Sequence, residues 1–175
     1  MSPEFSRPLR LDSLGGARSM RVEADEAERV ALARRFGLVA IDALAAELEI
    51  RRVGEVVDVG GQLSAAVTQT CVATGEPVPA LIDERFELRF LPSAMLASGV
   101  DEIELSERDC DMIGYEGDAI DLGEAVGETL ALALHPFPRH PDADALLKAA
   151  GVLGEEDVGP FAALKALRDK LGKGG

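Results

Sequence analysis

The sequence predicts an α+β fold: a curled antiparallel β-sheet, a barrel-like meander, with packing helices and a short C-terminal helix. Three observations carry this expectation. Apolar residues recur at every second position through 44–53, 56–70 and 78–91. They recur at every third or fourth position through 23–36 and 121–134. Short connections join the three strand-like stretches, which favours neighbours that run in opposite directions.

Phe5 to Leu11 reads as a short first strand. From Glu23 to Phe36 the spacing is helical, with Val30, Leu32, Ala33 and Phe36 on its apolar side. Asp25 followed by Glu28 has the form of a capping box, and Gly37 is a natural stop. Leu44, Ala46, Leu48 and Ile50 then alternate with Ala45, Glu47, Glu49 and Arg51, as in a strand buried on one face. A turn at 51–55 leads into Val57, Val59, Leu63, Ala65 and Val67, all at odd positions. Gly60-Gly61 inside this run predicts a bulge or bend. In the third strand Ile82, Phe86, Leu88 and Phe90 oppose Asp83, Arg85, Glu87 and Arg89.

Between Pro92 and Asp111 the alternation fails among many carboxylates, so a solvated connection is expected, with a short helical piece at 93–97 and a strand at 112–115. Asp121 and Glu124 open the next helix, whose Leu122, Val126, Thr129, Leu130, Ala133 and Leu134 share a side, and Pro136 and Pro138 end it. A short helix is expected at 144–150. The division is one α+β domain over 1–150, then a flexible acidic linker and short basic helix over 151–175. In that helix Pro160 suits the first position, and Phe161, Leu164, Leu167 and Leu171 repeat at three or four.

The chain has 175 residues, 47% hydrophobic and 29% charged, but only 4% aromatic and no Trp. Aliphatic side chains must therefore build the core, and no aromatic platform for stacking single-stranded bases is present. The start lacks the apolar run of a secretory signal, and no stretch has the length of a membrane span, so a cytoplasmic location away from membranes is expected. The net charge of -14 is unevenly spread. Residues 1–54 hold nine Lys/Arg and nine Asp/Glu, residues 55–160 hold five and 22, and residues 161–175 hold four and one. Such an acidic middle repels nucleic acid, so RNA contact has to come from the ends.

Residues suited to catalysis are sparse. His135 and His140 are the only imidazoles, both in a Pro-rich segment with no nucleophile at motif spacing. The paired glycines match neither phosphate-cradling pattern. The carboxylates of 102–111 are too numerous to single out an acid/base pair or a cation site. Cys71-Val72-Ala73-Thr74 would be a C-x-x-C turn with Cys in place of Thr74, and without that thiol it argues for no zinc or redox centre. Cys110, His135 and His140 lie at irregular spacing from Cys71. Both cysteines are expected free, no catalytic residues, metal or cofactor is assigned, and the chain is not expected to be an enzyme.

At this segment the sequence resembles the YceD family of large ribosomal RNA accumulation proteins. Residues 69–78 (QTCVATGEPV) and the strand ending Phe86-Glu87-Leu88-Arg89-Phe90 are similar to the family's centre. Asp118 to Glu124, with Glu128, Leu130, Pro136, Pro138 and His140, resembles its second block, and Gly159 to Leu164 its closing block. One departure stands out: many members carry a second cysteine where this chain has Thr74. The resemblance implies a non-catalytic ribosome-assembly factor that promotes accumulation of large-subunit ribosomal RNA, with genes often beside one for a large-subunit ribosomal protein. It implies no catalytic residues. The partner is then a basic ribosomal protein, held by the acidic surface, or pre-ribosomal RNA. RNA would be held by Arg7, Arg10, Arg18, Arg21, Arg34 and Arg35 of the front together with Lys165, Arg168, Lys170 and Lys173 of the tail, while Phe161 and Leu164 form the apolar side by which the tail helix docks on the domain or on the partner. Two other classes are an RNA-processing or RNA-modifying enzyme and a metal-binding regulator.

Overall fold

The structure, a computed structural model, describes residues 3–97 and 111–152. Its elements run β1 (Pro8–Arg10), a 3-10 turn (Leu11–Ser13), β2 (Ala17–Glu23), α1 (Glu26–Phe36), β3 (Ala40–Val53), β4 (Val56–Thr70), β5 (Pro77–Pro92), α2 (Ser93–Ala97), β6 (Asp111–Tyr115), β7 (Ala119–Asp121), α3 (Leu122–Ala133) and α4 (Ala143–Ala149). The chain divides into two compact units. One contains the described residues up to Gln69 together with Pro79–Pro136, less those outside the description; the other contains Thr70–Val78 and the described residues from Phe137 onward.

The α+β class holds, and the three long strands fall where the alternation put them. Their hairpin closes through the two residues Gly54 and Glu55, with Val53 opposite Val56 and Gly54 at φ +63°, a conformation that glycine adopts without strain. Inward positions carry the core: Leu44, Ala46, Leu48 and Ile50 from β3, Val57, Val59, Leu63, Ala65 and Val67 from β4, and Phe86, Leu88 and Phe90 from β5. Leu32 of α1 and Leu122, Ala125, Val126 and Leu130 of α3 join the cluster, as do Phe5, Leu9, Val22 and Ile120.

Several expectations are corrected. The sheet is mixed, in the order β2-β3-β4-β5-β6, because β6 lies parallel to β5. Its ladder of described strands does not return on itself, so the barrel-like closure is not found among them. An additional edge strand, β2, pairs along Ala45–Arg51 of β3. The first strand shortens to Pro8–Arg10 and pairs outside the main sheet, with β7. Gly60 and Gly61 hold continuous register opposite Glu49 and Leu48, whereas the irregularity lies between Ile41 and Ala43. The reason for Gly61 is space: a Cβ there would come within 2.5 Å of Phe86 Cζ and 2.9 Å of Leu48 Cδ2. In α1, Leu32 and Ala33 are buried, but Val30 is 47% exposed because it turns away from the sheet.

Helix ends follow from the residues expected there. Asp25 accepts the Glu28 amide at 2.9 Å while the Glu28 carboxylate accepts the Asp25 amide at 2.8 Å, and Gly37 closes α1 in the left-handed region. Asp121 caps α3 by accepting the amides of Gly123 and Glu124 at 3.0 and 3.1 Å.

Candidate functional site

The arginines of the front do not form an open cationic patch. Arg7 grips Glu28 through two bonds of 2.6 and 2.8 Å, donates to the carbonyls of Ser6 and Glu23, and lies 4.7 Å from the Phe5 ring centroid. Its amide donates to Asp121 at 2.8 Å, and Ser6 Oγ donates to the same carboxylate at 2.5 Å. Arg7 thus joins the capping box of α1 to the cap of α3. The Arg7 guanidinium is the main reason that the Glu28 carboxyl is held below the usual carboxylate range. Arg10 pairs with Asp12 and Asp118, Arg21 with Glu23 and Glu47, and Arg35 with Glu4 and Glu124. Of the six, Arg18 and Arg34 have no carboxylate partner among the described residues.

The remaining binding candidates, Phe161, Leu164, Lys165, Arg168 and Lys170, lie outside the described residues, as does Cys110.

Two hollows lie in the larger unit. One, of about 600 Å³, opens along Ser19, Glu49, Gly60 and Glu87, and Gly60 leaves room there because it carries no side chain. Arg18, Arg51 and Arg89 offset Glu49, Asp58 and Glu87 around it, and Arg89 already holds Asp58 at 2.7 Å. The second, of about 370 Å³, is a cleft between β5 and α3. Its floor is apolar, from Phe86, Leu88, Ile113 and Ala125. Its rim is acidic, with Glu84, Glu87, Asp111 and Glu128 against Arg85. Two strongly exposed apolar side chains belong to the same two elements, Leu132 at 79% and Leu81 at 87%. This cleft was not legible beforehand, because its carboxylates come from β5, β6 and α3 and are adjacent only after folding.

In the smaller unit, Cys71 starts a tight turn. The Cys71 amide donates to Glu76 O at 2.8 Å, Gly75 N returns to Cys71 O at 2.9 Å, and the Val72 amide donates to Pro138 O at 2.9 Å. The buried thiol accepts the His140 amide at 3.3 Å. That amide first, and then the Thr74 hydroxyl and the Ala73 and Thr74 amides, lower the thiol from its ordinary 9.0 to about 6, against the opposing effect of burial. His140 Nδ1 accepts the Asp142 amide at 3.1 Å. Among the described residues, no three His, Cys, Asp or Glu side chains are grouped as metal ligands, and no helix is long and apolar enough to cross a membrane.

Comparison with known proteins gives one match. No curated protein and no solved structure matches the chain. A family model described as large ribosomal RNA subunit accumulation protein YceD matches residues 59–168, from near the start of β4 through the Cys71 turn, β5, β6 and α3 and on past α4. With more than half of its length matched, and with the resembling segments of 69–90 and 118–140 inside that range, the chain belongs to the YceD family of large ribosomal RNA subunit accumulation proteins.

Proposed function

We propose that this protein promotes accumulation of large-subunit ribosomal RNA as a non-catalytic cytoplasmic assembly factor, and that it does so by binding a basic protein of the pre-ribosomal large subunit. The observation that carries the reading is the state of the arginines. Arg7, Arg10, Arg21 and Arg35 are already held by carboxylates, while the cleft beside β5 offers Glu84, Asp111 and Glu128 over an apolar floor. Phosphate binding requires cations whose charge is not already neutralised. Opposite potentials, in contrast, steer a cationic protein toward an acidic cleft and select against wrong partners.

Tagged protein captured from a bacterial lysate, with and without ribonuclease, tests the choice. A basic large-subunit protein retained after ribonuclease treatment supports the reading. Loss of all pre-ribosomal material with ribonuclease replaces it with direct RNA binding through Arg18, Arg34 and the basic residues Lys165, Arg168 and Lys170. Cleavage or modification of ribosomal RNA by the purified protein alone would instead make it an enzyme.

A further inference from the structure

We infer that the open edge of β5, along residues 79–87, is a strand-addition site for an extended basic segment of a protein partner. The inference rests on the protein-partner reading above and names the surface that would serve it.

The edge arises from a difference in strand length. β5 runs Pro77–Pro92, but β6 pairs with it only from Leu88 to Pro92, through Asp111–Tyr115. Among the described residues, no strand continues that ladder along 79–87. At a rise near 3.3 Å per residue this leaves roughly 30 Å of edge, enough for a strand of ordinary length. An open edge presents N–H and C=O groups that an incoming strand can pair, and proteins that avoid such pairing place prolines, lysines or bulges there. Here Pro79 guards only one end, and β5 continues as regular strand beyond it.

Charge selects the occupant. Glu84 lies on β5, with Asp111 and Glu128 at the cleft beside it. A second copy added edge to edge would set carboxylates against carboxylates, which is unfavourable across a strand pair. A nucleic acid would meet the same repulsion. A cationic strand meets neither obstacle. Because side chains alternate along a strand, one set would lie above Phe86, Leu88 and the acidic rim, and the other would follow the opposite face past Asp83. The ligand class is therefore a peptide in which basic residues alternate with small apolar ones.

The test uses the full chain and a soluble peptide of about nine residues in which Lys alternates with Val, a length matched to the open edge. Backbone hydrogen exchange is read with and without the peptide. The expected result is slowing of the alternate amides within 79–87 that face the edge, by about tenfold or more. Glu84→Lys with Glu128→Lys is expected to raise the peptide Kd about tenfold, whereas Glu55→Lys with Glu116→Lys changes it by less than about twofold. If the lysine pair fails to fold, Glu84→Gln with Glu128→Gln gives a smaller loss in the same direction.

Peptide binding without slowing at 79–87, or equal weakening by both lysine pairs, overturns the inference. So does protection without peptide that grows with protein concentration, which makes a second copy the occupant. Protection that disappears on deleting residues 160–175 would make the chain's own tail the occupant and overturns it equally. Ribonuclease-resistant capture with no peptide protection at 79–87 leaves the partner reading standing and removes this site. Ribonuclease-sensitive capture with clear protection does the reverse.

Discussion

Arg7 shows how a residue chosen for its charge acquires a structural duty. Read in sequence, it is one of several arginines near the front; folded, it spans the capping box of α1 and the cap of α3. Replacing it by Met keeps the aliphatic stem but leaves Glu28, only 18% exposed at its side chain, without its cation. The expected loss is about 1–3 kcal/mol in urea unfolding. Arg10→Met should leave urea unfolding essentially unchanged, since both of its ion pairs are well exposed. Equal losses in the two variants would refute the distinction. Because Arg7 depresses the Glu28 carboxyl in the folded state, the stabilisation is present above the ordinary carboxylate range and fades as pH falls through the lowered value. The gap between wild type and Arg7→Met should therefore narrow in acid. Cys71 follows the same sign at higher pH. Its folded thiol titrates near 6 rather than 9.0, so its contribution is complete above about pH 9 and is lost as pH falls through 6. The melting temperature of wild type relative to Cys71→Ala should rise between pH 6 and 9, and a constant difference would contradict the thiolate.

At the scale of elements, periodicity located β3, β4, β5, α1 and α3 because each has one face in water and one in the core, and burial imposes the period. β2 escaped notice: within Ala17–Glu23 only Val22 is buried and Met20 half-buried, so an edge strand of this kind leaves almost no apolar signal. Gly60-Gly61 misled for a different reason. Glycine in a strand marks either a bend or a close approach, and sequence does not separate the two; here the aromatic end of Phe86 occupies the position of the missing Gly61 side chain. Gly61→Ala should destabilise the protein by about 1–3 kcal/mol through overpacking. Phe86→Leu made in the Gly61→Ala background should recover part of that loss, because the pair shares one volume. Additive losses in chemical denaturation would show that Phe86 is not the obstacle.

For the whole molecule, charge distribution is the property most directly tied to function. The acidic bias of 55–160 was readable from composition, but its concentration around one apolar cleft was not, since β5, β6 and α3 supply the carboxylates from distant positions. Capture of a basic partner by that surface should weaken as salt rises, because exposed charge contacts are screened over ~8 Å at physiological ionic strength. Deleting residues 160–175 should lower capture while leaving the melting temperature of the remaining chain unchanged, as expected if this basic block is a binding element that the domain does not need for folding. Unfolding of the truncated protein would show instead that this block covers the core. Capture indifferent to both salt and truncation would eliminate charge as the guide.

The α+β class, the three long strands, the two capped helices and membership of the YceD family were all legible in the amino-acid order. These rest on local physics: alternation, helical spacing, caps and short motifs are written in consecutive residues. Only tertiary structure decided that β6 runs parallel to β5, that β1 pairs with β7, and that the five-stranded ladder stays open. It also decided which arginines are occupied and where carboxylates gather. Those outcomes depend on contacts between residues separated by 20 to more than 100 positions, such as Arg7 with Glu28 and Ser6 with Asp121. Chain entropy and packing choose among many such pairings, and no local pattern records the choice.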